Sequence, residues 1–218
     1  MVESLLTRIE NRAIQLPETR WLYRYLIKPA ESLLQKVKIL VIVPDGFLWY
    51  LPFQSLQDGK GRYLVEQYTI CYTSSIFAFY TMLQIEGVQR QQNGTRTPSL
   101  LALACSRFEA KRNLSLRGRY TPLPNTEKEV RAIAPFFKGH SRIYLNDAAT
   151  EERIRRELSS AEVAHIATHC ELNSFQPLYS GIILSLDNDD RYDGYLEARE
   201  IMEMDLRHVR LVVLSACN

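Results

Sequence analysis

The amino-acid sequence predicts an α/β fold built on a mostly parallel sheet, and three observations carry that expectation. The run LLALAC (100–105) is unbroken and apolar between turn signals, the pattern of a strand buried on both faces. SRIYL, TEERIRRELSS and EVAHIAT follow one another as strand, helix and strand, the alternation that gives parallel sheets. VRLVVLSA near the C-terminus is a further apolar strand.

Taken in order, Leu5 to Leu34 carries Leu, Ile, Tyr and Arg at helical spacing. It is interrupted at Pro17 and Pro29 and reads as two helices, with Trp21, Leu22, Tyr25 and Leu26 on one apolar face. A β-branched strand from Ile39 to Val43 ends at the turn signal Pro44-Asp45-Gly46. The aromatics Phe47, Trp49, Tyr50 and Phe53 follow, placed either to line a pocket or to pack a helix on the sheet. YLVEQYTICYT predicts paired short strands around Gln67, and Ser75–Glu86 a helix ended by Gly87.

Past the buried strand comes a loop, Arg107 to Tyr120, with five basic residues and two aromatics, Phe108 and Tyr120, read as solvated in preference to a contact for acidic partners or nucleic acid, or as a processing site. Thr126 and Glu129 then predict a capping box opening a helix with Val130, Ile133 and Ala134 on one side. In the next helix Ile154 and Leu158 point inward. After GIILSL, the turn DNDDRYDG faintly matches a calcium loop, but Ala198 stands where the loop's twelfth-position glutamate belongs, so it reads as an acidic turn. LEAREIMEM is a short helix.

Composition narrows the class. Hydrophobic residues make up 46% and charged residues 24% of 218 residues, ordinary globular usage. Twenty-seven basic against 25 acidic residues leave a net charge of +2, so no overall field points to nucleic acid or an anionic membrane. No signal peptide or membrane-length apolar run is present, and a cytoplasmic protein is expected. The four cysteines, Cys71, Cys105, Cys170 and Cys217, lack the tight spacing of a disulfide framework and are expected as thiols.

Two stretches carry candidate chemistry. VAHIATHC (163–170) sets His165 and His169 four residues apart. On a helix they would share a face as metal ligands do, but on a strand they lie roughly 13 Å apart, too far for one metal, so neither a metal nor a cofactor is expected. LVVLSACN (211–218) puts Cys217 just past the end of a strand, as His169 is just past the end of another, and the side chains converge if those strands are neighbours. Ligands of open α/β sheets bind outside the carboxyl ends of strands, and an imidazole beside a thiol can activate it and protonate a leaving amine. The amides around Cys170 and Cys217 are candidate donors to an oxyanion. Two residues alone favour a structural role, a buried thiol and a hydrogen-bonded imidazole. Their separation shifts the balance: 48 residues, near the roughly 50 between histidine and cysteine in caspases, although SACN lacks the local caspase signature.

The segments PDGFLWYLPFQSL (from Pro44), YLVEQYTICYTSS (Tyr63), LPNTEKEV (Leu123), AATEERI (Ala148), HIATH (His165), YSGIILSL (Tyr179), LEAREI (Leu196) and LVVLSACN (Leu211) occur in family order. Together they resemble the CHAT domain, a caspase-like domain often attached to tetratricopeptide repeats. The resemblance covers 18–218 and leaves residues 1–17 as the end of an upstream helical region or linker. It implies a three-layer caspase-like α/β fold and a cysteine endopeptidase that hydrolyses peptide bonds in a partner protein. By the same resemblance His169 is the dyad histidine and Cys217 the nucleophile, with a protein substrate and a regulator such as tetratricopeptide repeats as partners. Cys170 stands where the family has glycine, and its side chain resists the positive φ that glycine permits. A reversible Cys170–Cys217 disulfide is a further expectation. The chain stops directly after a strand, so the domain reads as truncated at its C-terminal end, inactive alone and with an exposed apolar edge. The alternative function is a catalytically inactive CHAT-type interaction or signalling module.

Overall fold

A computed structural model describes residues 16–93, 97–107, 120–187 and 191–217. The chain divides into two compact units, Met1–Gln92 and Asn93–Asn218.

In the first unit, helix α1 (Leu16–Leu26) buries Leu22 and Tyr23. Pro17 lies inside its first turn rather than before it, because the N–H that proline lacks is unpaired there in any helix. The apolar face differs from the expected one: Trp21 and Tyr25 are exposed, while Leu22, Tyr23 and Ile27 enter a core with Leu51, Phe53, Leu56 and Leu64. A one-turn helix α2 (Glu31–Leu34) precedes strand β1 (Ile39–Ile42), which pairs in parallel with β2 (Thr69–Tyr72). Between these strands the chain forms a single helical turn, α3 (Leu64–Gln67), so the expected pair of strands around Gln67 is half helix and half strand. Helix α4 (Ile76–Asn93) runs through Gly87. A glycine ends a helix where the chain turns left-handed, and Gly87 is not among the positive-φ glycines. Of the four aromatics after β1, Phe53 alone is buried; Phe47, Trp49 and Tyr50 are exposed.

The second unit is a mixed α/β layer whose central sheet is mostly parallel. Strands β3 (Leu100–Ala104), β4 (Ser141–Leu145), β5 (Val163–Glu171), β6 (Gly181–Ile183) and β7 (Tyr195–Glu197) follow the order β4-β3-β5-β6-β7, and β8 (Leu211–Cys217) pairs with β5. The β3–β4, β3–β5 and β5–β8 pairs are parallel; β6 and β7 add antiparallel pairs at one end. All five residues of β3 are buried, as its unbroken apolar run predicts.

Helices cover both faces. Helix α5 (Thr126–Ile133) lays Val130 against Leu100, Ala102, Ala104 and Ala167. Helix α6 (Glu151–Glu157), capped by the Thr150 hydroxyl accepting from the Arg153 N–H, lays Ile154 on the other face with Leu101, Leu103, Ala164 and Ile166; Leu158 and Ile201 of α7 (Ala198–Ile201) join them. The capping box predicted for α5 does not form. Asn125 is the N-cap without a side-chain bond, Thr126 Oγ1 donates to the Leu123 carbonyl, and the Glu129 carboxylate turns to the sheet. Strand β7 was hidden by its length of three residues. No helix among the described residues is long and apolar enough to cross a membrane.

Candidate functional site

The chain leaves β3 for β4 under α5, then returns past β3 to β5 under α6, so the winding direction reverses between β3 and β5. A crevice outside the carboxyl ends of the strands at such a reversal is where open α/β sheets bind ligands. The residues found there are Ser106, just past β3, and His169, near the end of β5.

The pleat of β5 sorts its side chains. Val163, His165, Ala167, His169 and Glu171 alternate onto the α5 face, and Ala164, Ile166 and Cys170 onto the other. The two histidines therefore share a face of a strand, as separate positions along it. His165 is buried, with Nε2 3.0 Å from Glu129 Oε1, close enough for an ion pair but not aligned as a hydrogen bond. The other Glu129 oxygen accepts from Ser215 Oγ at 3.1 Å, so one carboxylate on α5 touches both β5 and β8.

His169 is half-buried, and its register partner across the β5–β8 ladder is Cys217. Paired positions on adjacent strands stand about 4.8 Å apart and belong to one face. Seven consecutive pairs, from Val163↔Leu211 to His169↔Cys217, make β5 and β8 neighbours. One detail differs: His169 and Cys170 lie inside β5, not in a loop beyond it, because β5 continues by pairing Cys170 and Glu171 with Ile182 and Gly181 of β6. Cys170 accordingly lies in extended strand. The described non-glycine residues with positive φ are Lys138 and Asn146, so Cys170 asks for no glycine-like conformation. Its Sγ sits 3.8 Å from the Ala216 carbonyl. By register, positions 170 and 217 fall on opposite faces of the pleat.

Three contacts from the last residue of the basic loop, Tyr120, and the next, Thr121, complete the site. His169 Nε2 lies 2.8 Å from the Thr121 carbonyl, the Tyr120 ring packs against the imidazole with centroids 5.1 Å apart and a tilt of 31°, and the Tyr120 hydroxyl donates to Glu171. Since a carbonyl only accepts, the proton of the neutral ring belongs on Nε2 and the lone pair on Nδ1. The Leu123 N–H donates to the Ser106 carbonyl, which ties the same segment to the end of β3. Ser106 is itself held by Asn146 and Glu127, and the hydrogen bonds from Asn146 and Ser106 hold the Glu127 carboxyl below its usual range. Burial, then the Glu171 and Glu197 charges, pushes the Tyr195 hydroxyl up.

From sequence Tyr120 is named only as an aromatic of the basic loop, and neither Thr121 nor Glu171 is singled out. Thr121 acts through a main-chain oxygen that any residue possesses; Glu171 was readable as the next position on the His169 face once β5 is known to extend that far. Residues 108–119 of the basic loop and 188–190 of the acidic turn lie outside the described residues.

The profile of the CHAT domain matches residues 16–218. The chain belongs to the CHAT domain family. Tetratricopeptide repeat protein 28 of Mus musculus is 26% identical over 76% of this chain and 7% of its own length, and that of Homo sapiens is 26% identical over 70% of this chain and 6% of its own. This CHAT domain thus spans less than a tenth of the curated relatives it matches.

Proposed function

We propose that the CHAT domain is a cysteine endopeptidase region in which Cys217 is the nucleophile and His169 the general acid and base. The observation that carries the reading is the pairing of positions 169 and 217 across β5 and β8, together with the Thr121 carbonyl on Nε2 of His169. With the Nε2 proton held there, Nδ1 takes the thiol proton, the thiolate sulfur bonds to the scissile carbonyl carbon, and the carbonyl electrons move to oxygen. The backbone N–H groups of Cys170 and Cys217 are assigned to that oxyanion. Collapse of the intermediate breaks the C–N bond, His169 returns the proton to the leaving amine, and water then hydrolyses the thioester. The substrate is an extended segment of a partner protein. Tetratricopeptide repeats, present in the names of the relatives, are the proposed regulatory neighbour, and residues 1–17 the connection toward it.

A second reading, an interaction module without turnover, draws support from the apolar surface of the first unit, where Phe47, Tyr50 and Phe77 are 66%, 64% and 79% exposed. Cleavage separates the two. The full-length protein is incubated with a proteome-derived peptide library and new termini are sequenced. The enzyme reading predicts termini with the wild type that fall at least about a hundredfold in Cys217→Ala and His169→Ala. Equal cleavage by the variants, or none by the wild type with any candidate regulator, favours the module.

A further inference from the structure

We infer that Tyr120 is a positioning residue for the His169 imidazole and that its hydroxyl, bound to Glu171, latches the segment carrying the Thr121 carbonyl onto β5. The inference rests on the dyad reading above and adds to it a residue and a device. Tyr120 and Thr121 are consecutive, yet they meet the imidazole from two directions: the phenol ring lies against its face, and the carbonyl takes its edge at Nε2. The phenol then reaches past His169 to Glu171, two residues along the same face of the same strand. Two contacts on one ring and one on the strand close a small loop of structure, and a rotation of the imidazole breaks at least one of them.

Ring and carbonyl both act in the step of the dyad reading: an electron-rich ring face and a main-chain carbonyl hold the imidazolium that forms as Nδ1 takes the thiol proton, and so favour the thiolate. Titratable groups on the His169 side of β5 include Tyr120 from this segment and Glu171 from its own strand, and position 217 is its register partner across the ladder. Glu129 of α5 faces the strand lower down and is engaged there by Ser215 and His165.

The test is the pH profile of Cys217 alkylation by iodoacetamide in the full-length protein, read peptide by peptide by mass spectrometry. The proteins compared are wild type, His169→Ala, Tyr120→Phe and Tyr120→Leu. Tyr120→Phe keeps the ring and loses the latch, and as the conservative change it remains informative if Tyr120→Leu unfolds. The expected wild-type midpoint lies below that of an ordinary thiol, about 8.5. The His169→Ala profile moves up to that value, Tyr120→Phe moves part of the way with an alkylation rate at pH 7 lowered about threefold, and Tyr120→Leu approaches His169→Ala. Wild-type and His169→Ala profiles that coincide overturn the dyad reading itself. A displaced His169→Ala profile with both Tyr120 variants superimposed on wild type overturns this inference alone, and displacement in Tyr120→Leu only overturns the latch.

Discussion

At the scale of single residues, Cys170 shows how a departure from a family pattern is judged. From sequence, a side chain where relatives carry glycine suggests a strained amide. The backbone removes the strain, since Cys170 sits in extended strand as the partner of Ile182. Cys170→Gly is therefore expected to change kcat by less than about threefold while lowering stability by about 0.5–1 kcal/mol, the cost of glycine in a strand. Parallel measurement of turnover and urea midpoint checks this, and a tenfold rise in kcat would mean that the cysteine does misdirect the site. Residue-level reading of the sequence singled out side chains of uncommon type, His169 and Cys217, which the register sets opposite each other. It missed Thr121, whose part is played by a carbonyl, and Glu129, whose carboxylate leaves the helix end for the sheet.

At the scale of elements, β3 was legible because burial on both faces leaves no polar positions to confuse the period, and β8 from its apolar run although Leu211 to Leu214 are exposed; both begin and end within a residue or two of expectation. Helix α6 was legible from its threonine cap and inward Ile154. Less visible is what fixes α6 to the sheet. Glu157 accepts from the Tyr144 hydroxyl at 2.6 Å and pairs with Arg142 of β4 at 3.2 Å and with Arg153 of its own helix at 3.3 Å. Burial pushes its carboxyl up, but the Tyr144 and Arg153 hydrogen bonds and the Arg142 and Arg153 charges outweigh that and hold it below its ordinary 4.5. A depressed folded value means that the contribution to stability is complete above 4.5, where the unfolded chain is also ionised, and is lost as pH falls through the lower folded value. Glu157→Gln should thus destabilise the protein at pH 7 and make progressively less difference toward pH 2. Urea midpoints of both proteins at the two pH values test this; a constant difference would mean that packing, not charge, is what Glu157 supplies.

At the scale of the whole molecule, the described residues leave β8 paired on one side only, with β5, and Leu211, Val212, Val213 and Leu214 partly to largely exposed. An apolar strand with an open edge is a template for pairing with another copy. These 218 residues in isolation are expected to self-associate, and Val212→Lys combined with Leu214→Lys, on the face away from α5, to return them to a monomer in sedimentation velocity. A monomeric wild-type chain at about 100 μM would contradict this. The same strand carries Cys217, so its one neighbour among the described residues, β5, is what brings positions 169 and 217 together. The central claim is that these two positions act as one chemical unit. Its most direct measurement is labelling of the full-length protein with an electrophilic peptide probe, the modified residue being identified by mass spectrometry. The account predicts a single adduct on Cys217 that disappears in His169→Ala, whereas an adduct of undiminished rate in His169→Ala, or one on Cys71 in place of Cys217, would contradict it.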